Sequence, residues 1–269
     1  MRVAISTIAL LACTSLASAA DLGGPYEYEG SIKDGPYAAA QYNWTGLYFG
    51  AHGGYAWADV DYPGANPYVA PPAQCKGAFG PGEDCGPPRA SLEGGLLGAQ
   101  IGYNFQIGQI VLGAEVDYAF SNLTKSVRDG NYLEQTHEID GIGSVRARVG
   151  YAIDRFLPYV TGGWGWADAS VSQSCPGDPN AVIAGHCRGD RAGSYNLKGS
   201  ETIDGWVIGG GLEYAAASNW TVRAEYLHYD FGKANYELGR APNGYVIPTK
   251  TIKHDADVFR LGVNYKFGG

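Results

Sequence analysis

Only one methionine occurs in 269 residues, only 17% of the chain is charged, and no long apolar run follows the first twenty residues. The missing apolar runs exclude spanning helices from the rest of the chain, because a helix needs about 20 apolar residues to cross a bilayer. Runs of Lys and Arg are also missing. With a net charge of −8 and a pI of about 5.1, the chain is not expected to bind nucleic acid. The five histidines (His52, His137, His186, His228 and His254) are scattered. They show neither H-x-E nor H-E-x-x-H spacing, and no nucleophile is marked beside any of them, so no enzyme is indicated.

The first residues read as an export signal. Met1-Arg2 is a short positive region, Val3 to Leu16 is mostly apolar, and Ala17-Ser18-Ala19 is an A-x-A cleavage site. Residues 1–20 are therefore expected to be a signal peptide. Leu11-Ala12-Cys13 loosely matches a lipidation signal and stands as the alternative. Residues 21–42 are rich in Gly, Pro and Tyr without periodicity and read as a flexible periplasmic leader. Residues 43–269 read as one domain.

What the chain has in abundance is glycine (41) and tyrosine (20), with 45% hydrophobic residues overall. From Trp44 onward these residues alternate with period two, the pattern of strands. Eight segments are expected, at about 46–60, 92–105, 110–123, 140–153, 157–171, 202–215, 220–231 and 257–267. In each, one face is apolar, as in Leu112, Ala114, Val116, Tyr118 and Phe120, and the other is small or polar, as in Gly113, Glu115 and Asp117. Short connections at 107–109, 154–156 and 217–219 alternate with long ones at about 62–90, 124–138, 172–200 and 232–255. The expected fold is all-β: an eight-stranded antiparallel up-and-down transmembrane β-barrel with long extracellular loops, lipid outside and a polar lumen inside. Aromatic residues at strand ends, from Trp44 and Trp57 to Trp220 and Phe267, are expected to form girdles at the two membrane surfaces.

The polar face carries a charge constellation. Arg146, Arg148, Arg223, Arg260 and Lys266 are expected to meet Glu115, Asp117, Glu213 and Glu225 in the lumen, with Gln100 and Asn104 nearby. A barrel of eight strands is only wide enough for side chains to fill it, and buried charges must be paired. Such a network reads either as a static polar core or as a gated ion path. A catalytic carboxylate pair would need a cleft open to substrate, which a filled lumen does not offer. His52 reads as a hydrogen-bonding residue of this core.

Cysteine is sparse. Cys13 falls in the signal peptide, leaving Cys75, Cys85, Cys175 and Cys187. An even count in an exported chain points to disulfides, and three connectivities exist. Cys75–Cys85 and Cys175–Cys187 are expected, since each pair lies within one long loop. A metal site is the alternative, with only His186 adjacent to a cysteine.

Several strand motifs together resemble a known family. They are Asn43-Trp44-Thr45-Gly46-Leu47-Tyr48-Phe49-Gly50, Gly113-Ala114-Glu115-Val116-Asp117-Tyr118, Val145-Arg146-Ala147-Arg148-Val149-Gly150-Tyr151, Pro158-Tyr159-Val160-Thr161-Gly162-Gly163 and Trp220-Thr221-Val222-Arg223-Ala224-Glu225-Tyr226. The chain is similar to the alphaproteobacterial outer-membrane immunogenic proteins of the porin family, OmpA-like small barrels. The resemblance implies a surface-exposed barrel in the cell outer membrane. Its implied partners are outer-membrane lipid and lipopolysaccharide, the barrel-assembly machinery and host components. Family barrels end on an aromatic residue, whereas here Phe267 is followed by Gly268-Gly269. No resident cofactor is expected. Haem is the one ligand that relatives bring in, and His186 beside Cys187, Tyr195 and Tyr245 are its loop candidates. Three functions remain in play: a structural surface barrel that stabilises the envelope, a narrow passive channel, and a binder of haem or host components.

Overall fold

Eight strands form one closed antiparallel sheet. The computed structural model describes residues 42–61, 90–129, 133–175, 195–240 and 250–267. The strands are β1 (Gly46–Asp61), β2 (Ala90–Ile107), β3 (Ile110–Asp129), β4 (Leu133–Tyr151), β5 (Phe156–Cys175), β6 (Tyr195–Ala215), β7 (Trp220–Tyr236) and β8 (Lys250–Phe267). Each pairs with its sequence neighbours, and β8 closes onto β1 with Leu47 opposite Phe267 and Asp61 opposite Lys253. The expected signal peptide and all of the leader except Tyr42 lie outside the described residues.

Local chemistry fixes the short turns. Gly108 sits at φ 60° between β2 and β3, at the first central position of a two-residue hairpin, where glycine is favoured. Between β4 and β5, Asp154 takes φ 52° while Ile153 and Phe156 exchange backbone hydrogen bonds of 2.8 and 2.9 Å. Aspartate tolerates this left-handed region better than most side chains. Register is set by charge as well. Glu115 lies opposite Arg146, Glu213 opposite Arg223, and Glu225 opposite Arg260. A one-residue slip would send each of these side chains out into lipid.

The expected alternation holds through the membrane. Leu97, Ile101, Phe120, Val160, Ile208 and Leu261 point outward and are more than half exposed. The apolar outer band covers about ten residues of each strand, the length a tilted strand needs to cross. Yet the strands run from 16 residues (β1) to 21 (β6). They continue well past the band on the side away from the short turns, into stretches expected to be loops. The expected loop at 124–138 is largely a ladder from Thr124↔Glu138 to Asp129↔Leu133. Expected loops at 172–200 and 232–255 are likewise shortened by β5 and β6 and by β7 and β8.

Within these extensions the pattern inverts. Asp257, Asp255, Lys253 and Thr251 point out, while Val258, Ala256, His254 and Ile252 point in. Ile252, Ala256 and Val258 join an apolar core that also holds Leu92, Leu123, Ile139, Leu227, Tyr229 and Phe231, with the polar side chains of Gln135, His137, Gln173 and His254 buried beside it. The expectation of a polar lumen is therefore corrected for the upper half: the charges lie in the lower half, and the upper half is mainly apolar. Register shifts at Phe120/Leu123, Ile139/Gly141 and Asp230/Lys233 fall where the pattern turns over, consistent with bulges that re-aim side chains.

At the short-turn end a second apolar cluster of Trp44, Val111, Ala152, Leu157 and Ala215 closes the barrel. Trp44 is buried inside and not part of an outer girdle, because the segment before β1 folds under the sheet. Its backbone N–H donates to Gln106 Oε1 (2.7 Å), and the Gln106 N–H donates to Thr45 Oγ1 (3.0 Å). The closed sheet has no free edge from which to unzip. Unboiled protein in SDS should therefore migrate faster than boiled protein. Identical migration before and after heating would contradict closure.

Candidate functional site

The site lies in the lower lumen, where inward positions of β3, β4, β6, β7 and β8 bring four guanidinium groups to four carboxylates. Arg146 is the hub. Its Nη2 lies 2.5 Å from Glu115 Oε1 and 3.1 Å from Asp117 Oδ2, and its Nη1 lies 3.0 Å from Glu225 Oε1. Arg223 grips Glu115 with two donors, at 2.5 and 3.0 Å. Arg260 bridges Glu225 (2.6 Å) and Asp117 (2.8 Å). Arg148 pairs with Glu213 (2.9 Å), donates to Asn104 (2.9 Å), and is sandwiched between the rings of Tyr48 and Tyr159 at 4.9 and 5.1 Å. All eight charged side chains are buried.

Neutral residues complete the network. The hydroxyls of Tyr48 and Tyr159 donate to Glu115 (2.6 Å) and Glu225 (2.9 Å), and Ser144 donates to Asp117 (2.5 Å). Thr221 and Asn264 donate to Glu213, and Gln100 donates to Asn264 (2.6 Å). His52 bonds to Gln100, and its Nε2 lies 3.2 Å from Arg260 Nη1, the core role expected of it. Sequence reasoning missed the two tyrosines as members of the network, although both alternate in phase with its charges. Inward glycines provide the room. A Cβ on Gly102 would collide with the Tyr48 ring, and one on Gly113 with Arg148 and Asn104.

Lys266 departs from its expected place. Its ammonium group bonds the Asn43 carbonyl and sits 4.6 Å over the Tyr42 ring, at the lower mouth and away from the carboxylates. Burial, with the charge of Glu213 added, pushes the Tyr42 phenol up to about 12, so the lysine faces a neutral ring. Without Lys266 the network balances, four cations against four anions, as a buried cluster requires.

The arrangement leaves little scope for chemistry. Each carboxylate already accepts from several donors. Among the described residues, no group of three or more His, Cys, Asp or Glu is placed to hold a metal. Of the other expected site residues, Cys75, Cys85, Cys187, His186 and Tyr245 lie outside the described residues. Cys175 and Tyr195 face each other as the last pair of β5 and β6, with their side chains not described. Among the described residues there is no disulfide, so the expected pairings find no support there.

A closed eight-stranded sheet, with a lipid-width apolar band outside and a self-neutralising polar cluster within, defines a transmembrane β-barrel of the outer-membrane kind. The family model described as outer membrane protein beta-barrel domain matches residues 6–267, and the chain belongs to this family. The chain is 32% identical over 231 residues to the 31 kDa outer-membrane immunogenic protein of Brucella melitensis, covering 84% of this chain and 85% of that one. Identity to the 25 kDa outer-membrane immunogenic protein of the same organism is 29% over 231 residues, covering 85% and 82%. Among solved structures, OprG from Pseudomonas aeruginosa aligns with a TM-score of 0.46 at 13% identity, covering 85% of this chain and 99% of that one. The resemblance read from the strand motifs thus holds, and the protein is placed in the outer membrane. The relatives are named as immunogenic outer-membrane proteins and not as enzymes.

Proposed function

We propose that the protein is a surface-exposed structural barrel of the outer membrane, one that stabilises the envelope and conducts no solute. The observation that carries this reading is the filling of the lumen in three tiers: the Trp44 cluster below, the charge network in the middle and the mainly apolar core above. An ion crossing such a barrel would have to part bonded Arg–carboxylate pairs and then traverse apolar packing, where an unpaired charge costs several kcal/mol. The narrow-channel reading is correspondingly disfavoured. Surface exposure follows from strand extensions with polar outer faces and agrees with the relatives being called immunogenic. Assembly by the barrel-insertion machinery, with lipopolysaccharide around the finished barrel, belongs to the same reading. The test is a planar bilayer holding refolded barrel. No unitary steps above the bare-bilayer baseline are expected, whereas reproducible single-channel steps from folded protein would overturn the proposal.

A further inference from the structure

The strand extensions are not laddered all the way round. β6 and β7 pair from Ala215↔Thr221 up to Trp206↔Asp230, and among the described residues no ladder joins them above that point. Each still pairs on its other side, β6 with β5 as far as Cys175↔Tyr195 and β7 with β8 as far as Tyr236↔Lys250. The parting has a local cause. Gly232 takes φ 66°, and its N–H donates to Asp230 Oδ1 (2.9 Å), at the register shift between Asp230 and Lys233 that bends β7. The strands draw together again at Gly199, where a Cβ would lie 3.1 Å from the Glu237 carbonyl. Residues 200–204 and 232–236 thus flank a seam, where packing of Ile203, Ala234 and Tyr236 takes the place of a ladder. The seam is open to water at one inward position. Glu201 lies opposite buried Ala169, on the inward side of β6, and yet it is exposed.

Behind the seam stands His254 of β8, above the membrane band. It is 3% exposed, its Nε2 bonds the Tyr236 hydroxyl (3.0 Å), and its Nδ1 has no hydrogen-bond partner among the described residues. The titratable groups on its side of the sheet are Tyr236 on β7, with Lys250 at the register position opposite, Glu201 on β6, His137 on β4 and, paired with it, Lys125 on β3. β1, β2 and β5 bring apolar or amide side chains there, such as Val60, Leu92 and Gln173, and the neighbours Lys253 and Asp255 point outward. Burial alone pushes the His254 imidazole down to about 4. A protonated ring donates from both nitrogens. Its Nε2 could then no longer accept from Tyr236, and its Nδ1–H would stand buried without an acceptor.

We propose that the β6–β7 seam is an acid-operated gate in the extensions: protonation of His254 parts it from Tyr236 and opens the seam, while the laddered wall below Trp206↔Asp230 stays closed. Shut, the seam holds His254 neutral. Open, it exposes the imidazole to water, where it titrates near its ordinary 6.5. The shut form is therefore at full strength above that value and loses ground as the pH falls from 6.5 towards 4. Between about pH 7 and about pH 4.5 the ratio of shut to open molecules should fall about fiftyfold. Opening uncovers Ile203 and Tyr236, so acid converts a stretch of polar wall into an apolar surface well clear of the lipid.

The test is hydrogen exchange of the refolded barrel in micelles at those two pH values, read by mass spectrometry and corrected for intrinsic rates. Amides of 200–205 and 231–236 should lose about fiftyfold in protection at the lower pH, while those of 207–215 and 221–229 keep theirs. His254→Gln, which cannot titrate and can still bond Tyr236, should flatten the response. The double change His254→Phe with Tyr236→Phe, an apolar pair with no hydroxyl left over, should flatten it too. His137→Gln and Glu201→Gln should each retain it. Heat-shifted migration in SDS confirms that each variant is folded. Protection at the seam that does not change with pH in the wild type would overturn the gate, as would a loss shared equally by the membrane strands. A response that survives both His254 variants, or that disappears with His137→Gln or Glu201→Gln, would overturn the assignment to His254.

Discussion

Replacing Arg146 by alanine should lower the stability of the refolded barrel by about 3–5 kcal/mol, the range found when one partner of a buried ion pair is removed. Arg146 contacts Glu115, Asp117 and Glu225, more carboxylates than a simple pair engages. The charge balance would shift from neutral to one excess anion with no water to screen it. Arg223 and Arg260 would still hold the same three carboxylates, so the loss is that of balance and not of every contact. Urea unfolding followed by tryptophan fluorescence measures it. Arg146→Gln should be nearly as damaging, whereas the double change Arg146→Met with Asp117→Asn, which restores neutrality, should recover a large part of the loss. An unchanged midpoint for Arg146→Ala would mean that the cluster is wet and screened.

Leu261→Arg should cost about 2–4 kcal/mol and sharply reduce insertion into bilayers, because it sets a guanidinium against hydrocarbon near mid-membrane. Leu261 is 58% exposed on β8, between Gly53 on β1 and Ala224 on β7, with Phe259 above and Phe267 below on the same face. None of these neighbours offers it an acceptor. The matched control is Thr124→Arg on the outer face of β3, four residues above the outermost aromatic, Phe120. That arginine would stand in water and should change folding yield little. Equal tolerance of the two changes would move the hydrocarbon boundary well above Phe120.

The two substitutions mark the limits of what the sequence made legible. The strand count, the order of turns and the inward and outward faces follow from period-two patterning, because in the membrane band polarity and direction are locked together. Above the band the backbone keeps its alternation, but polarity changes sides. Asp59 and Asp61 point out, with Ala58 and Val60 in. The same inversion in β6 puts Asp204 and Thr202 outside, with Ile203 and Val207 inside. A short strand read alone through such a crossover loses its apolar face and looks like a loop, and bulges that shift parity blur it further. The charged residues were legible as a group, since each lies in phase with small lumen residues. Their partners were not, because Arg148–Glu213 joins β4 to β6 and Arg260–Asp117 joins β8 to β3, across a cavity that adjacent-strand patterning does not report. Lys266 shares the lumen phase, but only the fold shows that it lies below the cluster.

The strand extensions change what approaches the cell. β3 runs nine residues beyond Phe120, to Asp129. At the usual rise and tilt of barrel strands this lifts its end about 20 Å off the hydrocarbon. The protein therefore stands over the lipid as a turret, with a paved wall and a packed, mainly apolar filling. A macromolecule touching it would meet side chains on ladder-paired strands, such as Thr124, Glu138 and Thr251, at fixed spacing before it reached any lipid. The wall would keep its shape if the loops were cut, so a foreign peptide spliced in after Asp129 would be carried clear of the surrounding sugars on a support that does not bend.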